Sequence, residues 1–283
     1  MKVRLRDKYQ ANGQPTATST TESRGPQVLL AVVFIFLCGA LGWMYWKSRS
    51  LAVETDSTTL CPTRQAPPAL VAILLDVSDQ LSEPQLIKIE NEIDRLRDGL
   101  PRWGRVEVYV VARHGERLTE PVIQVCNPGT GADMNALYQN PDLAKKKWNA
   151  FAQSFRDQVT ALIGMPDTAT SLIFESIQSI ALRTFDRSEL DGVAKRLVVI
   201  SDLLQNNPSV MSHYRGVPDF VRFAESPYFS RVRADLDNVS VTVLYLQRSD
   251  VAVQGSAHIE FWEKYFAAQG ATVQEVKKVF GDQ

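Results

Sequence analysis

Apolar positions follow three rhythms along this chain. From Val28 to Trp46 the run VLLAVVFIFLCGALGWMYW carries no charged residue, and as a helix it is long enough to cross roughly 30 Å of hydrocarbon. From Leu70 onward, short continuous apolar runs alternate with segments whose apolar residues recur every three or four positions. The stretches before Val28 and between Lys47 and Ala69 are polar, with neither period.

The alternation after Leu70 predicts an α/β fold: a doubly wound, mostly parallel sheet flanked by helices, preceded by one membrane helix. LVAILL, from Leu70, reads as a strand buried on both faces. Ser82 then opens a helix with Gln85 in the capping-box position. Leu86, Ile89, Ile93, Leu96 and Leu100 form its inward stripe. Arg105 to Ala112 and Pro121 to Val125 predict two further strands joined by a short hairpin, Leu197 to Ile200 and Val239 to Leu246 two more, and the tail one last strand. Helices are expected from about Asp142 to Ile163, with Trp148, Phe151, Phe155, Val159 and Leu162 on one side, from Ser171 to Thr184, and over HIEFWEKYFAAQG, closing at Gly270.

The domain plan follows: residues 1–27 a disordered cytoplasmic tail rich in Ser, Thr, Gly and Pro, 28–46 the membrane helix, 47–69 an extracytoplasmic stalk stiffened by Pro62, Pro67 and Pro68, and 70–283 one folded domain. Trp43, Tyr45 and Trp46 suit a membrane interface. Lys2, Arg4, Arg6, Lys8 and Arg24 outnumber Lys47 and Arg49 across the span, which predicts a cytoplasmic amino end. The domain is then expected outside the inner (cytoplasmic) membrane, in a periplasm for a Gram-negative source. The arm before the apolar run is longer than the charged region of a cleaved signal peptide. Phe36 and Leu37 stand where a lipidated Cys38 would need small residues, so Cys38 reads as a side chain of the span.

Composition changes this picture little. The 283 residues are 45 % hydrophobic with a formal net charge of −1, and no Lys/Arg stripe interleaved with aromatics occurs. Nucleic acid is therefore not an expected partner.

The candidate chemistry sits where strands end. LVAILL runs into Asp76-Val77-Ser78-Asp79-Gln80, the strand at Leu197 runs into Ser201-Asp202, and between them DTATSLIFESI opens a helix through a hydroxyl-rich loop. In doubly wound sheets such loops converge on one crevice. Asp76, Ser78, Gln80, Thr170 or Ser171, and Asp202 supply oxygen donors alone, a set suited to a hard cation.

These three loops and the order of elements resemble the von Willebrand factor A domain, whose metal-ion-dependent adhesion site uses Asp-x-Ser-x-Ser, a Thr in a second loop and an Asp in a third. Asp76 and Ser78 match the first two positions, Ser171 stands for the threonine with Thr170 just before it, and Asp202 matches the third loop. Gln80 stands where the family has its second serine. The resemblance covers residues 70 to about 270. It implies a bound Mg²⁺ or Mn²⁺ and recognition of a protein partner. The DVSDQLSEPQ stretch and the CNPG loop also resemble membrane-anchored bacterial proteins of this superfamily.

An enzyme is not expected. Asp76 at a strand end resembles the nucleophile of haloacid dehalogenase phosphatases, but those use Asp-x-Asp and Ser78 replaces the second acid. No Gly-x-Ser-x-Gly elbow occurs. His114, His213 and His258 are isolated in sequence and read as surface or packing residues. A hydrolase using the same ion to activate water and a metal-free scaffold of an envelope assembly are the rival readings.

Cys61 and Cys126 are the two cysteines outside the span, and an oxidising compartment permits their pairing. We expect that disulfide to clip the stalk to the domain. Asn127, Asn135 and Asn140, with Tyr214, Phe220, Phe223, Tyr228 and Phe229, lie in long loops and read first as loop packing, second as a partner-facing rim.

Overall fold

A computed structural model describes residues 25–76, 78, 80–111, 120–132, 134–136, 139–163, 170–248 and 250–281. Most of the amino-terminal tail, Asp79, His114 and residues 167–169 of the hydroxyl-rich loop lie outside these described residues. The chain divides into two compact units, Met1–Leu51 and Ala52–Gln283.

The first unit contains α1, Gly25–Ser50, which includes the whole expected span. It is long and apolar enough to cross a membrane by length and composition. Its large side chains, Phe34, Ile35, Phe36 and Trp43 among them, are exposed, as is the free thiol of Cys38. That exposure suits a lipid-facing helix.

The second unit is built on a six-stranded sheet in the order β3-β2-β1-β4-β7-β8. Its strands are β1 (Ala69–Leu75), β2 (Arg105–Val110), β3 (Ile123–Cys126), β4 (Ala194–Ser201), β7 (Val239–Leu246) and β8 (Thr272–Val279). All neighbours pair in parallel except β3, which runs antiparallel to β2 at one edge. Two-residue strands β5 (Asn206–Asn207) and β6 (Met211–Ser212) form a separate small hairpin.

Alternation along β1 explains why both faces are covered. Leu70, Ala72 and Leu74 join one apolar cluster, with Ile173, Phe174 and Ile177 of α4 (Ile173–Ile180) and Phe261, Trp262 and Tyr265 of α5 (Ser256–Ala268). Val71, Ile73 and Leu75 join the other, with Ile89 and Ile93 of α2 (Glu83–Asp98) and Phe155, Val159 and Ile163 of α3 (Pro141–Ile163). A strand buried on both faces has no polar side to show, hence its unbroken apolar run.

Helix α2 begins as its sequence requires: the Ser82 amide donates to Gln85 Oε1 at 3.1 Å. Helix α4 is shorter than expected and passes into a π-turn at Ala181–Phe185. The loop aromatics mostly pack. Phe174 stacks on Trp262 at 4.5 Å and on Phe223 at 5.2 Å, Tyr228 is buried, and Phe220 and Phe229 lean on the same cluster. Tyr214 is exposed. Asn127 is buried, donating to Leu100 O at 2.7 Å and accepting from the Gly129 amide at 2.7 Å.

The segment expected as a free stalk is folded from Ala52 onward. Asp56 Oδ1 accepts the amides of Thr58 and Thr59, Thr55 bridges Pro62, and Cys61 is joined to Cys126 with Cα atoms 4.8 Å apart. Short polar residues bonding to their own backbone order this turn without any hydrophobic period. Cys126 lies opposite Arg105, the first residue of β2. The chain therefore joins the domain at the edge where the parallel strands begin.

Candidate functional site

The strand order reverses between β1 and β4, so the loops that leave their carboxyl ends diverge and open a crevice. Leu75 pairs with Ile200, and the Asp76 amide donates to Ile200 O at 2.9 Å. The register thus sets Asp76 beside Ser201 and Asp202. All three are buried.

Asp76 is enclosed by donors. Its Oδ2 accepts Ser171 Oγ at 3.0 Å and Ser201 Oγ at 2.8 Å, and its Oδ1 accepts the Ser78 amide at 3.1 Å. Asp202 turns its Oδ1 to the Leu204 amide at 2.9 Å and its Oδ2 toward Arg248 Nη1 at 3.4 Å. Asp76, Ser78, Gln80 and Asp202 line a cavity of about 190 Å³, together with Ser82, Gln85, Gln247, Arg248 and Asp250. Ser171 reaches the site through Asp76. Thr170, half-buried next to it, does not line the cavity.

Two glutamines build this arrangement. Buried Gln205 accepts the Ile173 and Phe174 amides on its Oε1 at 2.7 and 3.1 Å, satisfying the first turn of α4. Its amide donates to Glu175 and to Tyr228, while Ser171 and Asn206 exchange backbone hydrogen bonds at 3.2 and 2.8 Å. The loop after β4 is thereby stitched to the loop that carries Ser171. Gln254 does the same for the loop after β7: its amide donates to Asp202 O and Leu246 O, both at 2.9 Å, and its Oε1 accepts the Arg248 amide at 2.7 Å.

Leu203 holds a left-handed backbone, φ 58°, which costs a non-glycine residue on the order of 1 kcal/mol. Its neighbours fix it there. The Leu203 amide donates to Ser201 Oγ at 2.8 Å and its carbonyl accepts Trp262 Nε1 at 3.0 Å.

The sequence points to Asp76, Ser78, Gln80, Thr170 or Ser171, and Asp202 as site residues, but not to Ser201, Gln205, Arg248 or Gln254. A signal existed for Arg248, because QRSD follows β7 as directly as Ser201-Asp202 closes β4. Every strand end next to a switch point delivers residues to the crevice.

The expected divalent cation can be tested against these contacts. Each buried carboxylate is already answered by the protein, Asp76 by two hydroxyls and an amide, Asp202 by an amide and a guanidinium. A dication at Asp202 would have to compete with the Arg248 guanidinium, whose Nη1 lies 3.4 Å from Asp202 Oδ2, and the two positive charges repel. Among the described residues no three His, Cys, Asp or Glu side chains gather at metal-binding reach. As arranged, the residues do not fit a dication.

Comparison with known proteins adds the following. No family model matches the chain. No curated protein matches it. Among solved structures the chain is similar to an aerotolerance-related membrane protein from Bacteroides fragilis carrying multiple mutations to serines, at 19 % identity and a TM-score of 0.36, over 74 % of this chain and 90 % of that one.

Proposed function

We propose that this chain is a single-pass membrane protein whose domain, a von Willebrand A-like fold, works by recognising a protein partner at the crevice between β1 and β4. The observation that carries the reading is the convergence of Asp76 and Asp202 on one cavity at the topological switch point. The cavity mixes carboxylates, amides, a hydroxyl pair and a guanidinium, with Gln80 exposed at its rim. Such a surface offers directional hydrogen bonds to a partner.

Placement favours the same reading. The chain joins the domain near Cys126, at the edge where β1 starts, and β1 is 7 residues long. At about 3.3 Å per residue the crevice lies some 20 Å away, at the opposite edge.

Recognition suits the lining better than hydrolysis. The lining's buried carboxylates, which could act as general base, are already engaged, Asp76 by Ser171 and Ser201 and Asp202 by the Leu204 amide and Arg248, and no histidine lines the cavity among the described residues. His213 and His258 are fully buried in the core instead.

The test is site-specific photo-cross-linking of the full chain in its native membrane. A photoreactive side chain at Gln80 should give a discrete protein adduct that Asp202→Asn removes, whereas one at Arg64, exposed in the turn before β1, should not. Equal adducts at both positions, or none at Gln80, would end the proposal.

A further inference from the structure

Arg248 is placed with more care than a surface arginine needs. Its amide is held by Gln254 Oε1, the Gln254 amide is anchored on Asp202 O and Leu246 O, and the preceding Gln247 amide donates to Val279 O at 2.9 Å. The side chain is only 25 % exposed. Its Nη1 lies 3.4 Å from Asp202 Oδ2 and its Nε 3.6 Å from Asp250, at the wall of the cavity.

We propose that Arg248 is the resident cation of this crevice: its guanidinium balances Asp202 where the resemblance to the von Willebrand A domain implies a divalent ion, so the crevice works without metal. The inference deepens the recognition reading and rests on it for its biological sense. Its physical basis is separate. A buried carboxylate needs either a countercharge or hydrogen bonds, and Asp202 has both from the protein itself. An arginine delivered by the polypeptide is present at a fixed effective concentration, and a free ion must displace it to bind.

The proposal predicts a latent site. Removing the guanidinium leaves Asp202 short of a countercharge beside the oxygen donors of Ser78 and Gln80, and a divalent cation can then take the place.

Thermal unfolding of the full chain in detergent, with chelator and with millimolar Mg²⁺ or Mn²⁺, reads this directly. The wild-type midpoint should be the same in both. Arg248→Ala should unfold earlier in chelator and recover by about 4 °C or more when the cation is added, and adding Asp202→Asn should abolish the recovery. Arg248→Lys, which keeps a point charge, should stay unresponsive. A wild-type melt that shifts with the cation, an unresponsive Arg248→Ala, or a lysine variant that responds like alanine would each overturn the proposal. Mn²⁺ titration of the wild-type chain followed by electron paramagnetic resonance needs no variant, and stoichiometric binding there would overturn it too. None of these readouts involves a partner, so a failed cross-link at Gln80 and a failed cation response are told apart.

Discussion

His213 Nδ1 and His258 Nε2 lie 3.0 Å apart in the core, and neither ring is exposed. Tyr245 OH meets His258 Nδ1 at 2.7 Å, and Trp262 Nε1 reaches both His258 Nε2 and the Leu203 carbonyl. The pair is thus tied through Trp262 to Leu203, in the loop that carries Asp202. Two imidazoles sharing one hydrogen bond cannot both be cationic without loss, since the shared proton requires a lone pair on one ring.

Acid should therefore unfold this domain early. Burial and then the neighbouring His258 lower His213 to about 3, and burial lowers His258 to about 4. The unfolded chain binds these protons near pH 6.5, so stability is full above that value and is lost as pH falls toward the folded values. Each histidine contributes up to about 1.4 kcal/mol per pH unit in that window. We expect the melting midpoint to drop steadily from about pH 6.5 to about pH 4.5, and His213→Phe to reduce the slope. A wild-type midpoint that is flat across this range would contradict the assignment.

Gln205 ties two loops with one side chain, and its loss should cost more than an ordinary surface hydrogen bond. Gln205→Leu strands the Ile173 amide and deprives Glu175 and Tyr228 of a partner. A buried donor left unpaired costs about 1–3 kcal/mol, so urea unfolding should show a destabilisation of about 3 kcal/mol. A change below about 0.5 kcal/mol, the level of a neutral surface substitution, would show that the loop stands without it.

What could be read in the sequence is what periodicity and strand-end chemistry control. The unbroken run at Leu70 is buried as expected, Ile89, Ile93 and Leu100 of the helix stripe are buried with Leu86 and Leu96 half-buried beside them, and Thr272–Val279 does form the last parallel strand. Asp76 and Asp202 follow from the rule that crevices form at carboxyl ends of strands. The rest depends on partners distant in the chain. Arg248 acquires its role only when Gln254 folds the loop after β7 against Asp202. Residues 52–68 look like a tether because they lack apolar period, yet an Asp56 turn and a covalent bond order them. Glu107, at the centre of β2, looks anomalous in an apolar strand until Tyr109, Thr184 and Arg187 are seen around it. Isolated histidines likewise gave no sign that two of them would meet.

The excess of basic residues before the span predicts which side the domain occupies. Topology reporters fused near residue 10 and at the carboxyl end should report opposite compartments, cytoplasmic for the first. Cytoplasmic activity from the carboxyl-terminal fusion would reverse the assignment and would place Cys61 and Cys126 in a reducing compartment.

The bond between Cys61 and Cys126 closes a sequence separation of 65 residues around β1, α2 and β2. Constraining a loop of this length should stabilise the domain by about 4 kcal/mol in the chain-entropy description. The bond also does local work. The Cys126 amide donates to Thr59 O at 2.8 Å, so the turn at residues 55–62 is held to β3 by one covalent and one hydrogen bond. Replacing both cysteines by serine should lower the denaturation free energy by up to about 4 kcal/mol and increase amide exchange at Thr58 and Thr59, while leaving the crevice at the opposite, carboxyl ends of β1 and β4 intact. Mass mapping of protein taken from the native membrane without reductant should recover the linked peptide pair. Two freely alkylated thiols would remove the bridge and, with it, the fixed point at which the chain joins the domain.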